Sequence, residues 1–255
     1  MAVSPDGKSA YAANYQGSSN SVSQYNVKSG TGTLSPKTPA TVSAGSGPIS
    51  ISISPNGRHA YVLNNYGSNI SQYDINPHSG ALSPMSPATV ATGFNAFTIV
   101  LSPDGTSAYV TILGSPGAVG VWQYTIDPST GALSSKTPTV VATLNPLRIA
   151  ISQDGGHAYV GDGFSNTVCQ YNIDSLTGTL SPMNPATVPS GVYASGVALS
   201  PDGKSAYVTN SGDGTVSQYD VNPLTGALSP KSVAPVATGL APGGITVGRR
   251  PMGNR

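Results

Sequence analysis

Glutamate is missing from this 255-residue chain altogether: its ten acidic groups are all aspartates, and charged residues make up only 8% of it. Lysine, arginine and methionine are also sparse, so the strongest helix formers are scarce and turns and strands are favoured over helices. A formal net charge of +1 provides no field that would gather nucleic acid or an anionic membrane surface. The single cysteine, Cys169, rules out an intramolecular disulfide. No apolar run reaches the roughly 18 residues that a membrane-crossing helix needs. The chain opens on Met1-Ala2-Val3-Ser4 with neither a basic nor an apolar leader segment, so no signal peptide is expected, which suits a cytoplasmic or a mature exported protein alike.

What is abundant is Gly (31), Pro (22), Ser, Thr, Val and Tyr (13), a composition of turns and strands. Residues 200–210 give the unit: Ser-Pro-Asp-Gly-Lys-Ser, then Ala-Tyr-Val-Thr-Asn. It recurs at 4–14, 54–64, 102–112 and 152–162, with marker glycines Gly7, Gly57, Gly105, Gly155 and Gly203 spaced 50, 48, 50 and 48 residues apart. That period suits one supersecondary unit that cannot bury its apolar faces alone.

Each unit reads as four short strands. The Asp-Gly or Asn-Gly turn leads into Ala-Tyr-Val, and a second strand centres on Gln-Tyr at Tyr25, Tyr73, Tyr124, Tyr171 and Tyr219. A proline-bearing segment follows at Leu34, Leu82, Leu133, Leu180 and Leu228, which belongs on the sheet edge because proline lacks a backbone donor. The last segment alternates, as in Ile49, Ile51 and Ile53 against Ser50 and Ser52, and is expected innermost. An all-β propeller of about five four-stranded blades over residues 1–248 is expected, with 249–255 as a short basic tail. Residues 245–247 begin a sixth inner strand, expected to close the ring beside Ala10-Tyr11-Ala12. An open array would self-associate instead.

The motif at 206–210, with Ser-Pro-Asp-Gly before it and Gln218-Tyr219-Asp220 to Thr225-Gly226-Ala227-Leu228-Ser229 after it, resembles the YVTN-type β-propeller repeat and the 6-phosphogluconolactonase-like family of seven-bladed propellers. The resemblance covers essentially the whole chain. It implies lactone hydrolysis in some members, lactonisation in others and binding roles in proteins that share only the repeat. It also implies a site of acidic, His and Arg side chains at the propeller axis.

Residues that interrupt the repeat are the candidates. Arg148 stands where other inner strands carry Ser50, Thr98, Gly196 and Gly244, and a guanidinium there suits a carboxylate or phosphate. Asp162 replaces Asn14, Asn64 and Asn210; both residue types can close a turn. Arg148 and Asp162 are the catalytic candidates. Trp122 follows the longest insertion, residues 114–120, and Tyr193 and Phe94 precede inner strands, so Arg148, Trp122, Tyr193 and Phe94 form the candidate ligand-binding set. His59 and His157 read as solvated turn residues, as does His78, and no metal or cofactor is expected. With no Glu and dispersed histidines, the expected function is a noncatalytic module that binds a protein or a small carbohydrate-like ligand. The alternative is a lactonase-like hydrolase acting on a sugar lactone or similar cyclic ester.

Overall fold

The structure, a computed structural model, describes residues 1–15, 19–114, 119–141 and 143–248. The tail at 249–255 and insertion residues 115–118 therefore lie outside the described residues. The chain divides into two compact units, Met1–Ala142 and Thr143–Arg255. No helix of the described residues is long and apolar enough to cross a membrane.

The first unit holds three antiparallel sheets in sequence order. Blade 1 contains β1 (Ala2–Val3), β2 (Ser9–Asn14), β3 (Ser21–Val27) and β4 (Leu34–Ser43). Blade 2 contains β5 (Pro48–Ile53), β6 (His59–Asn64), β7 (Asn69–Ile75) and β8 (Leu82–Ala91). Blade 3 contains β9 (Ala96–Leu101), β10 (Ser107–Ile112), β11 (Gly120–Ile126) and β12 (Leu133–Val141). In the second unit, blade 4 comprises β13 (Pro146–Ile151), β14 (His157–Asp162), β15 (Thr167–Ile173) and β16 (Leu180–Pro189). Blade 5 comprises β17 (Ala194–Leu199), β18 (Ser205–Asn210) and β19 (Thr215–Val221), with β20 (Leu228–Pro230) and β21 (Val236–Ala237) sharing the outer edge of β19. The proline-bearing strands lie at the outer edge and the alternating strands at the inner edge, as their chemistry requires.

The marker turns are closed by their own side chains. Ser4 Oγ donates to Asp6 Oδ1 (2.6 Å), the same carboxylate oxygen accepts Lys8 N–H (3.0 Å), and Ser4 Oγ accepts Ser9 N–H (3.0 Å). Gly7, Gly57, Gly105, Gly155 and Gly203 hold φ between 70 and 75°, a region costly for any residue with a Cβ. The repeated aspartates therefore serve turn geometry.

Burial at the joints between blades falls on the repeated Gln, Leu and Tyr. Gln72 is fully buried; its Oε1 accepts Leu133 N–H from the next blade (2.7 Å) and its Nε2 donates to Pro87 O of its own outer strand (3.0 Å). Gln24 and Gln170 do the same with Leu82 and Leu228. Each register shift between the third and fourth strands of blades 1 to 4 brackets this glutamine, so the outer strand bulges around it and offers its carbonyl. Tyrosines complete the joints. Tyr11, Tyr61 and Tyr159 donate to Gly80, Gly131 and Gly226 of the following blade, while Tyr73, Tyr124 and Tyr219 donate backward to Ser43, Ala91 and Pro189. Burial pushes these phenols up, that of Tyr219 to about 12, so each remains a donor.

Two expectations are corrected. Residues 241–248 form no strand, and the edge of β2 at Ala10 and Tyr11 is paired by Ala2–Val3. The run Pro242-Gly243-Gly244 lacks the alternating apolar residues of an inner strand, and Gly243 uses its carbonyl to accept side-chain donors instead. His59 is not a solvated turn residue: its side chain is 12% exposed, bonds Asp74 through Nδ1 (3.1 Å) and packs where a Cβ on Gly131 would collide with the ring. His157 packs likewise on Gly226, but Asn172 stands in place of that aspartate and the buried Nδ1 has no partner among the described residues.

Gln72→Leu should leave Leu133 N–H and Pro87 O buried without partners, at roughly 1–3 kcal/mol each. Urea unfolding should therefore show a loss of about 2–6 kcal/mol; an unchanged midpoint would contradict the assignment. Acid should also destabilise the fold. Hydrogen bonds from Ser4, Ser152 and Ser200 hold Asp6, Asp154 and Asp202 below the ordinary carboxylate range, and the Thr130 and Thr177 amides do the same for Asp127 and Asp174. A depressed folded pKa contributes stability above the unfolded value near 4, lost as pH falls through the folded values. Melting temperature should thus hold near neutrality and fall below about pH 4.

Candidate functional site

Arg148 lies on β13, whose other apolar residues, Leu147 and Ile149, are buried while the arginine is exposed. Across the five inner strands it is the single charged residue. Strand alternation turns it away from Leu147 and Ile149. Its Nε–H donates to Gly243 O at 3.1 Å, and Ser195 Oγ, on neighbouring β17, approaches the same carbonyl at 3.4 Å. A Cβ on Gly196 would stand 3.1 Å from that carbonyl and 3.3 Å from Ile245 Cγ2, so the segment around residues 243–245 runs closely over the inner strands of blades 4 and 5. Gly196 N–H is satisfied by Thr209 Oγ1 (2.7 Å). Arg148, Ser195 and the Gly243 carbonyl thus form one polar cluster in the second unit.

Asp162, the other catalytic candidate, is 1% exposed and does not join that cluster through any hydrogen bond. Its Oδ2 accepts Leu144 N–H (2.9 Å) and Asn145 N–H (3.2 Å), and Oδ1 accepts Ser165 N–H (3.1 Å). The change from Asn is matched across the strand pair. Asn64 and Asn210 donate Nδ2 to Ser71 and Ser217, whose hydroxyls accept loop amides at Gly45 and Gly191. In blade 4 that serine is Cys169, and the carboxylate takes loop amides itself. Burial, with the negative charge of Asp162 second, pushes the Cys169 thiol up to about 11, which makes it inert packing.

At the loop end of the same unit, Tyr193 is 37% exposed, with φ 60° and its N–H bonded to Asn166 Oδ1 (2.8 Å). Its ring meets Phe164 edge to face, centroids 6.3 Å apart and planes at 70°. Gly163 leaves room beneath it: a Cβ there would lie 3.1 Å from Leu147 Cδ1 and 3.3 Å from the Tyr193 ring. The exposed rings of Tyr193 and Phe164 thus lie at the loop end of this unit, with the buried Leu147 beneath Gly163.

Phe94 and Trp122 belong to the first unit. Trp122 packs against the blade core, with its ring 3.2 Å from where a Gly93 Cβ would stand beside Ile112. Phe94 is 59% exposed, held by the close approach of its carbonyl to Gly114. The loops of this unit also carry Tyr15 and Tyr66, stacked with centroids 5.7 Å apart and hydroxyls 2.8 Å apart. Sequence reasoning missed Tyr15, Tyr66 and Phe164. The available signal was position: each follows the Asn or Asp that ends its blade's second strand by one or two residues.

A cleft of about 680 Å³ lies at the other end of blades 4 and 5, lined by the marker turns, His157, Lys204 and Asp220. Asp154 and Asp202 there are engaged in closing their own turns. Among the described residues, no three side chains of metal-ligating type come together.

Comparison with known proteins places these observations in a family. The family model described as lactonase, 7-bladed beta-propeller matches residues 1–195. A search of curated proteins gives no significant match. Among solved structures, the chain is similar to a periplasmic gluconolactonase of Pseudomonas aeruginosa, with 22% identity, TM-score 0.77, and 94% of this chain on 70% of that one. It is similar to a putative 6-phosphogluconolactonase of Bacteroides uniformis, with 19% identity, TM-score 0.76, and 91% on 70%. It also resembles hydrazine synthase of Kuenenia stuttgartiensis, with 20% identity, TM-score 0.68, and 96% on 75%. At such identities these likenesses speak for the fold alone. The expectation of a noncatalytic module is overturned by the family-model match, because the family is one of lactonases, and absent glutamate and scattered histidines were poor grounds for excluding ester chemistry. With three-quarters of its length matched, the chain belongs to the seven-bladed β-propeller lactonase family.

Proposed function

We propose that the chain is a lactonase-type hydrolase acting on a small cyclic ester of a sugar acid at the inner-strand face that carries Arg148. The observation that carries this reading is the exposed guanidinium on an inner strand of otherwise uncharged residues, fixed through Nε to Gly243 O. The names of the gluconolactonase and the 6-phosphogluconolactonase relatives supply the substrate class.

Water adds to the lactone carbonyl as it gives up a proton to a second water, and negative charge develops on the carbonyl oxygen. A fixed guanidinium near that oxygen stabilises the tetrahedral intermediate more than the neutral ground state, which is what accelerates the step. The ring C–O bond then breaks, its electron pair leaves on the former ring oxygen, and that oxygen takes up the proton that the attacking water released, giving the open hydroxy acid. The product is a carboxylate, and a guanidinium also matches it bidentately. The edge-to-face pair Tyr193 and Phe164 offers apolar rings to the C–H face of a sugar.

Hydrolysis of glucono-δ-lactone followed by acid release tests the reading. Arg148→Ala should lower kcat/KM by about 100-fold, the usual loss for one donor to an oxyanion, with the unfolding midpoint unchanged. Arg148→Lys should recover part of it. A wild-type rate no faster than spontaneous hydrolysis, or full activity in Arg148→Ala, would falsify it. Asp162→Ala should behave in the opposite way, leaving three loop amides unpaired and costing about 3 kcal/mol of stability in urea unfolding.

A further inference from the structure

Among the exposed aromatic side chains, Tyr15 and Tyr66 stand apart because their hydroxyls meet. Tyr15 follows β2 of blade 1, Tyr66 lies in the loop after β6 of blade 2, and they are 37% and 59% exposed. The ring planes are 30° apart, with centroids separated by 5.7 Å and hydroxyls by only 2.8 Å, so the rings converge toward their hydroxyl ends. At that end of each phenol lie the two ring carbons ortho to the oxygen, which carry much of the unpaired spin when a phenol is oxidised. The backbone holds both residues in place. Asn65 N–H donates to Gly47 O and Gly67 N–H to Ser46 O, each at 2.9 Å, so Tyr66 is bracketed by bonded amides. Its ring rests on Gly47, where a Cβ would stand 2.5 Å from Cδ2. Asn14, next to Tyr15, is anchored through Nδ2 to the Ser21 and Ser23 hydroxyls at 2.9 and 3.0 Å. A hydrogen bond between two exposed phenols adds little to stability, because water serves each hydroxyl nearly as well.

We propose that Tyr15 and Tyr66 are an oxidative modification site, at which a one-electron oxidant of the peroxide-fed haem peroxidase class joins them as o,o′-dityrosine. Each phenol gives up one electron and its hydroxyl proton, and the two phenoxyl radicals form a C–C bond between carbons ortho to the oxygens. The hydrogen on each bonded carbon then moves as a proton to the oxygen of its own ring, which restores both aromatic rings and both hydroxyls. The pair ends two hydrogens lighter, and the two electrons and two protons removed reduce one hydrogen peroxide to two waters. Radicals held side by side couple without diffusion, whereas coupling between separate molecules requires an encounter. The exposed pair Tyr193 and Phe164 has only one hydroxyl and meets edge to face, so it cannot follow the same course. The new bond would tie the loops of blades 1 and 2 across 51 residues of chain, which restricts the unfolded chain more than the folded one.

The test treats the full chain at low micromolar concentration with a haem peroxidase and hydrogen peroxide, and follows dityrosine fluorescence together with the peptide map by mass spectrometry. The expected main product is a single chain two hydrogens lighter whose linked peptides contain Tyr15 and Tyr66, formed in a yield that does not depend on protein concentration. Tyr15→Phe and Tyr66→Phe each keep both rings and remove one phenol. Either should lower the yield of linkage within the chain about tenfold or more, and both should keep the wild-type urea midpoint. Linkage within the chain that maps to other tyrosines, dityrosine that forms only between molecules, or a yield that either variant leaves intact would overturn the proposal.

Discussion

A buried glutamine that bonds two blades at once is the constraint on which the fold depends. Gln24, Gln72 and Gln170 each satisfy one amide of the following blade and one carbonyl of their own outer strand. A buried amide side chain left unpaired is expensive, so the joint is made in full or the blade is displaced. Its geometry explains neighbouring features: the outer strand bulges to offer a carbonyl, and the strand pairing shifts register at the same point. The tyrosines above and below then seal the gap with hydroxyl donors to backbone.

Much of this could be read from residue order. The period of the marker glycines gave the blade count, the prolines gave the outer edge, and the alternation of Ile49, Ile51 and Ile53 gave the inner one, because each follows from local backbone chemistry. The failures were tertiary. His59 looked like a turn residue, and only the neighbouring blade, where Gly131 leaves space for the ring, makes it a packing residue. The closing strand at 245–247 rested on the chain ends appearing complementary. The carbonyl of Gly243 is instead engaged by Arg148 and Ser195, and two donors from other strands cannot be seen in a linear pattern.

The candidate site divides in the same way. Arg148 stood out because it broke a repeat of small residues, and it is exposed on the inner strand. Asp162 broke the repeat equally, but its carboxylate is consumed by three backbone amides, and the compensating change at Cys169 was visible only once the two strands were paired. Departure from a repeat marks a local change of chemistry; whether that change faces a ligand or a neighbour depends on burial. The aromatic loop residues Tyr15, Tyr66 and Phe164 were overlooked because they occupy loop positions the repeat does not fix.

Amide hydrogen exchange resolved to single residues tests the central claim most directly, since it reads each joint separately. The Leu82, Leu133 and Leu228 amides should be protected to the level of the buried second strands, and Gln72→Leu should speed exchange of the Leu133 amide alone by orders of magnitude. Exchange of those three amides at the rate of exposed loop amides, or an unchanged Leu133 rate in the variant, would contradict the account.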